Sequence, residues 1–145
     1  MTGSNEKQLS ELQEDLRGRL EATPFYRWSG IELVDARLGE ADVAFEAGNE
    51  HVNVQGLVHG GMLATLADTA MGLAVRTVLD PGRRHVTVHL GVEFLSPGRP
   101  GRIVAHGRTV KIGRQLGFAE ADVVDARGRL LARARATLSV TTAKG

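Results

Sequence analysis

Cysteine is absent from the 145-residue chain. That excludes disulfides, thiolate nucleophiles and cysteine-ligated zinc, and suits a reducing cytoplasm. Aromatic residues are scarce, at four Phe, one Tyr and one Trp, so small aliphatic side chains must fill most of the core. No charge sign dominates: 18 Lys and Arg against 17 Asp and Glu leave a formal net charge of +1. Bulk electrostatics therefore give no footprint for nucleic acid. The most apolar long stretch, residues 57–79, is interrupted by Gly60, Gly61, Asp68 and Arg76, so no membrane span is expected. The polar, acidic start MTGSNEKQLSELQEDL lacks the basic segment and apolar run of a secretory leader. There is no G-x-S-x-G elbow and no P-loop. His85 and His89 would stand about 13 Å apart on a strand, too far for one metal. No metal and no cofactor are expected.

What is present, 42% hydrophobic and 24% charged residues, is an ordinary balance for one globular domain. Residues 1–6 read as a flexible tail, with a single domain over 7–145. From Lys7 the leucines Leu9, Leu12, Leu16 and Leu20 mark one face of an amphipathic helix, ended by Thr23-Pro24. Phe25, Tyr26 and Trp28 then either plug this helix onto the body or wall a pocket. Residues 31–39 and 41–47 read as two strands, and a polar loop over 48–56 leads into an apolar helix over 60–79, stopped by Asp80-Pro81-Gly82. The period then changes to two. Val86, Val88, Leu90, Val92 and Phe94 alternate with His85, Thr87, His89, Gly91 and Glu93, which predicts a strand burying the valine set. Strands over 102–112 and 116–124 follow, with a hairpin turn at Asp125-Ala126-Arg127-Gly128. In the last strand Leu130, Ala132, Ala134, Ala136, Leu138 and Val140 face one way, and Arg129, Leu131, Arg133 and Arg135 the other. Consecutive strands with tight turns imply an antiparallel sheet, and a helix apolar nearly all round must be buried. The expected class is α+β: an antiparallel sheet wrapped around one long central helix, with the last strand's alanines letting that helix come close.

At 3.6 residues per turn, Gly61, Thr65, Asp68, Gly72 and Arg76 fall on one narrow stripe of the central helix. A carboxylate there is costly unless paired or used. Arg76 lies eight residues on, about 12 Å along the axis, too far for direct pairing within the helix. At the helix start, His59-Gly60-Gly61 leaves first-turn N–H groups free, and glycine lets a ligand oxygen approach. The helix dipole adds partial positive charge, so this end suits a carbonyl oxygen developing negative charge. The same glycines would also serve a tight turn. Gly61 and Asp68 are seven residues apart, about 10 Å, more than one small carbonyl group spans. If both act on one group, they come from two copies of the chain, with antiparallel helices packed across a two-fold axis.

These residues resemble the hotdog-fold thioesterases, in particular the phenylacetate-pathway (PaaI-like) type. The resemblance runs from about residue 30 to 140. It is carried by EHVNVQGLVHGGMLATLADTAMG, residues 50–72, and TVHLGVEFLSPG, residues 87–98. The resemblance implies an acyl-CoA substrate hydrolysed to a free acid and coenzyme A, with no cofactor beyond the coenzyme A of the substrate itself. It implies that Asn53 and the N–H near Gly60 hold the thioester oxygen, and that Asp68 of the facing subunit acts as general base or nucleophile. Thr87 would help hold the water, and His59 would sit beside the thioester. Gly61 and Thr65 would line the substrate path. It further implies a homodimer that pairs into a tetramer, with a cytoplasmic location and no nucleic-acid or membrane partner. Each residue has a plainer reading: Asn53 as a loop cap, His59 as a helix cap, Thr87 as strand surface. Lys111 and Arg114, in or beside a strand connection, are either coenzyme A phosphate contacts or solvated surface.

Two other functions compete: a hotdog hydratase or dehydratase, and a non-catalytic acyl-CoA-binding module. The spacing from His59-Gly60-Gly61 to Asp68 favours hydrolysis over the first. Asp68 itself argues against the second, since binding gains nothing from a carboxylate beside an acyl group.

Overall fold

The computed structural model describes residues 3 to 142. Helix α1 (Gly3–Ala22) starts at Gly3, not Lys7, so residues 3–6 of the expected tail are helical. Glu6 puts a negative charge in the first turn, where the helix dipole favours it. Residues 1 and 2 lie outside the described residues. Leu16 and Leu20 are buried, as their spacing requires. α1 ends at Ala22, directly before Thr23-Pro24 as expected, and Pro24 then opens a second short helix, α2 (Pro24–Ser29). Proline suits the first helical position because its missing N–H would have no partner there. Gly30, at φ 75°, closes α2 with its N–H on the Tyr26 carbonyl.

Six strands follow: β1 (Glu32–Arg37), β2 (Glu40–Ala47), β3 (Arg83–Phe94), β4 (Gly101–Ile112), β5 (Leu116–Asp125) and β6 (Leu130–Thr142). The central helix α3 (Gly60–Arg76) lies between β2 and β3 in the chain. The strands form one antiparallel sheet in the order β1-β2-β4-β5-β6-β3. Helix α3 stops at Arg76, three residues short of the expected end. The Arg76 guanidinium turns back to donate to the carbonyls of Leu79, Asp80 and Arg83, which fixes residues 77–80 as a turn.

The sheet wraps α3 chiefly with β4, β2 and β5. The closest approach is at β4, not over the alanines of β6. A Cβ on Gly107 would stand 2.5 Å from the backbone C and O of Ala70 and 2.9 Å from the Met71 N. The helix backbone thus rests directly on the strand. The β6 alanines 132, 134 and 136 still face the core, and all are buried. Leu131, expected outside, is also fully buried, beside a register shift between Val123 and Val124 of β5.

Strand β3 departs most from its pattern. Val86 and Val88 are exposed at 66% and 59%. The register with β6 slips between Thr87 and His89, leaving Val88 as an extra residue. Before this bulge His85 and Thr87 sit opposite the buried Val140 and Leu138; after it Leu90 and Val92 sit opposite the buried Ala136 and Ala134. One extra residue exchanges the faces of all that follows. The perfect alternation in the sequence conceals two half-strands of opposite phase.

The two sheet edges are treated differently. Along β1, α1 lays Gln13 and Arg17 over the open backbone: they donate to the carbonyls of Ala36 and Val34. No described strand or helix pairs with the outer edge of β3. No described helix is long and apolar enough to cross a membrane.

Gly107→Ala should destabilise the protein by about 1–3 kcal/mol or more, since backbone cannot yield as a side chain can. The check is a lower urea midpoint at unchanged slope. Gly18→Ala, on an open face of α1 with nothing within 4 Å, should instead stabilise by about 0.5–1 kcal/mol.

Candidate active site

The loop between β2 and α3 is anchored by a buried histidine. His51 Nδ1 accepts from the Gly48 N–H at 3.0 Å, and its carbonyl accepts from the His59 N–H at 2.8 Å. Its ring meets Phe45 edge-on at 5.0 Å, with Trp28 at 6.2 Å. Of the α2 aromatics, Trp28 thus reaches the root of this loop. Trp28 is itself 61% exposed and does not line the cleft described below.

Above that root, Asn53 caps the loop, as its plainer reading proposed. Its Oδ1 accepts from the N–H groups of Gln55 and Leu57, at 2.9 and 3.3 Å, which shapes the turn. The Nδ2 end, a pure donor, has no acceptor among the described residues. His59 caps α3: its Nδ1 accepts from the Gly61 N–H at 2.8 Å. That bond consumes the Gly61 donor, so Gly61 is not available to a carbonyl oxygen. The N–H groups of Met62 and Leu63 go to the His59 carbonyl. Gly60 N–H is left without a described acceptor, at the positive end of the helix.

Asn53 and Gly60 open on one cleft of about 300 Å³, lined also by Leu57, Leu63, Phe94 and Leu95. Phe94 lies over Gly60: a Cβ there would stand 3.1 Å from the ring. Glycine at 60 is thus required by the ring as much as by any ligand. The arrangement offers two hydrogen-bond donors beside an apolar wall.

Asp68 lies elsewhere. Along α3, Gly61, Thr65, Asp68, Gly72 and Arg76 are exposed or half-buried, whereas Leu63, Leu66, Ala67, Ala70, Met71, Ala74 and Val75 are buried. The stripe read from the sequence is the side of the helix that its own sheet leaves open. Thr87 Oγ1–H donates to Asp68 Oδ1 at 2.8 Å. The other carboxylate oxygen has no described partner. Arg76 is engaged by carbonyls and does not pair with Asp68. Thr65 donates its hydroxyl to the Gly61 carbonyl at 2.8 Å. It stands on the stripe between the two centres and lines neither.

The sequence-predicted site residues therefore gather in two separate clusters. Asn53 and Gly60, with His59 as cap, form one; Asp68 and Thr87 form the other, eight helical residues or about 12 Å away. Sequence reading missed His85. Its ring lies against Gly72, where a Cβ would stand 3.3 Å from Cε1. Its pKa is lowered, first by burial and then by Arg76, with Asp68 opposing. The signal was present, because His85 must share the face of Thr87, two residues on. Across the bulge His89 faces outward, opposite Thr137, so the two histidines share no site. Among the described residues no group of three potential metal ligands comes together. Lys111 and Arg114 flank the β4–β5 turn, at the far end of the sheet from the cleft.

A six-stranded antiparallel sheet closed on one central helix defines the hotdog class of α+β protein. Comparison with known proteins assigns it further. The model of the thioesterase superfamily matches residues 55–132, from the Asn53 loop into β6. Human acyl-coenzyme A thioesterase 13 is 33% identical over 129 residues, covering 87% of this chain and 91% of that protein. Among solved structures, a thioesterase from Haemophilus influenzae superposes with a TM-score of 0.83 at 25% identity, covering 90% of each chain. A mutant form of the phenylacetic acid degradation protein PaaI from Thermus thermophilus gives 0.74 at 30% identity, covering 81% of this chain and 98% of that one. The chain belongs to the thioesterase superfamily and is a thioester hydrolase.

Thr87→Val keeps the shape of the side chain but removes the donor to Asp68. A hydrogen bond to a charged group is worth roughly 1.5–3 kcal/mol, so kcat on a thioester should fall about ten- to a hundredfold. Thr87→Ser should keep most of the rate. Equal loss in both variants would show that packing, not the hydroxyl, matters.

Proposed function

We propose that this protein is an acyl-CoA thioesterase. It hydrolyses an acyl- or aromatic acyl-CoA to the free acid and coenzyme A at a site shared by two subunits. The observation that carries this reading is the separation of the half-sites: donors for a carbonyl oxygen at Asn53 and Gly60, and an open carboxylate about 12 Å along the same helix. Two antiparallel copies of α3, packed stripe to stripe, bring Gly60 of one beside Asp68 of the other. The bare edge of β3 and the exposed Val86 and Val88 supply the rest of such an interface. The two-fold arrangement yields two identical sites per dimer.

In each site the Asn53 Nδ2–H and Gly60 N–H take the negative charge that develops on the thioester oxygen. His59 holds Gly60 in place by capping the turn. Asp68, one oxygen fixed by Thr87, turns its free oxygen to a water as general base, or to the thioester carbon as nucleophile. Water is the only co-substrate, and coenzyme A enters as part of the substrate. Gly61 and Thr65 line the stripe between the half-sites. A cytoplasmic location and pairing of dimers into tetramers accompany this reading.

Two measurements test it. Thiol release over a panel of aromatic and aliphatic acyl-CoAs should show turnover, and Asp68→Asn should lower it by about 10²–10⁴-fold while remaining folded. Asp68→Asn and Asn53→Ala chains should each be nearly inactive alone. Refolded together, half the dimers are mixed, and each mixed dimer holds one intact site, so about a quarter of wild-type activity should return. No recovery would place the whole site within one subunit. No thiol release by wild type on any thioester would end the thioesterase assignment and favour a binding module.

A further inference from the structure

We propose that His85 is a positioning residue of the hydrolytic site, accepting the second hydrogen of the water that Asp68 activates. This rests on Asp68 having the role given above, and it selects general-base action over nucleophilic attack.

Thr87 is bonded to Asp68, and two residues earlier His85 lies on Gly72, one helical turn from Asp68. Gly72, on which the ring lies, stands about 6 Å along the helix axis from Asp68, a spacing that one water held between the two side chains would bridge. Gly72 makes the room, since a side chain there would press on the ring. The ring is half-buried, lies on the open stripe, and neither nitrogen has a hydrogen-bond partner among the described residues. A polar ring held beside an open carboxylate, with its nitrogens unused, calls for a ligand between them.

The charged groups around it agree. Helix α3 presents Asp68 and Arg76, and Arg76 is held by carbonyls. On β6 the facing residues Ser139, Val140 and Thr141 carry no charge, and Arg83, Arg84 and His89 lie on its own strand. Burial first, then Arg76, lower the pKa against the pull of Asp68. At neutral pH the imidazole is uncharged and keeps one acceptor nitrogen. Water can then give one hydrogen to Asp68 and the other to His85, leaving an oxygen lone pair for the thioester carbon. As the C–O bond forms, one proton passes to Asp68. As the C–S bond breaks, that proton passes to the leaving thiolate. His85 returns unchanged. Below its pKa the imidazolium has no acceptor and draws the Asp68 carboxylate to itself, so activity falls on the acid side.

The test compares His85→Phe and His85→Gln with wild type. His85→Phe should lower kcat about tenfold or more, with KM within about twofold. His85→Gln, which keeps an acceptor but does not titrate, should recover most of the rate and extend it to lower pH. Full rate in the Phe variant, equal loss in both, or a Gln profile superimposed on wild type would each overturn the proposal. A second readout needs no turnover: the ring titration of His85 by NMR. Its midpoint should lie below the ordinary histidine range and fall further in Asp68→Asn, which removes the charge that raises it. An unmoved midpoint in an active enzyme would sink the role of His85 alone, whereas an inactive wild type would sink the thioesterase reading.

Discussion

The contact of α3 with β4 at Gly107 sets the rest of the molecule. With no side chain on the strand, the helix backbone lies directly on the sheet, and Ala67, Ala70 and Ala74 keep it close on neighbouring positions. This seats one rotational face of α3 and no other. A turn of about 100° either way would drive Asp68 toward the sheet, where an unpaired carboxylate would cost several kcal/mol. The polar stripe therefore emerges on the side the sheet leaves open, and the position of Asp68 is set by a packing constraint on the opposite side of the helix.

That constraint explains what the sequence disclosed. The stripe was legible because a helix repeats every 3.6 residues whatever surrounds it. From Ala132 on, the last strand was legible because apolar residues alternate with charged or polar ones; at Leu131, beside the register shift, that alternation fails. Strand β3 was not. Residues 85–94 alternate perfectly, yet the bulge at Val88 reverses their phase, and nothing in the residue types marks it. A contradiction was nevertheless available. Thr87 was expected to help hold the water that Asp68 would activate while Leu90 and Val92 were expected in the core, and two odd–even sets cannot share a face without an extra residue between them. Resolving it would have predicted both the bulge and the position of His85. The use of the Gly61 N–H by His59 was hidden for a different reason, since a cap competes with a ligand for the same donors and only geometry decides between them.

The outer face of the sheet carries information that no single strand shows. Its charges run in rows across the strands: Glu93, Arg133, Asp122, His106, Asp42 in one, and Arg135, Glu120, Arg108, Glu40, Arg37 in the next. Signs alternate along the second row and, in the first, from Glu93 through Asp122, where His106 is the hydrogen-bond partner of Asp42. Along each of β2, β5 and β6 the two charges share one sign, so a wrong neighbour, such as β2 beside β5, would set like charges opposite each other. Individual exposed pairs contribute little. Together they favour this strand order, above all at the β2–β4 and β3–β6 pairings, which no hairpin enforces.

The two edges of the sheet also differ. One is covered from within the chain by α1, through Gln13 and Arg17; the other, β3, is long, apolar in places and bare. An uncovered edge beside an uncovered helix stripe is a surface that folding alone leaves unfinished. Chemistry leaves the same surface unfinished, because Asp68 sits midway along α3, far from the positive end of its own helix. The field that would stabilise a developing oxyanion fades within the first turn, and under the proposed function a second α3, running the other way, brings it to the carboxylate. On the proposed function assembly and catalysis are one event, and the surface that would make an isolated chain prone to stick is the one a second copy would cover.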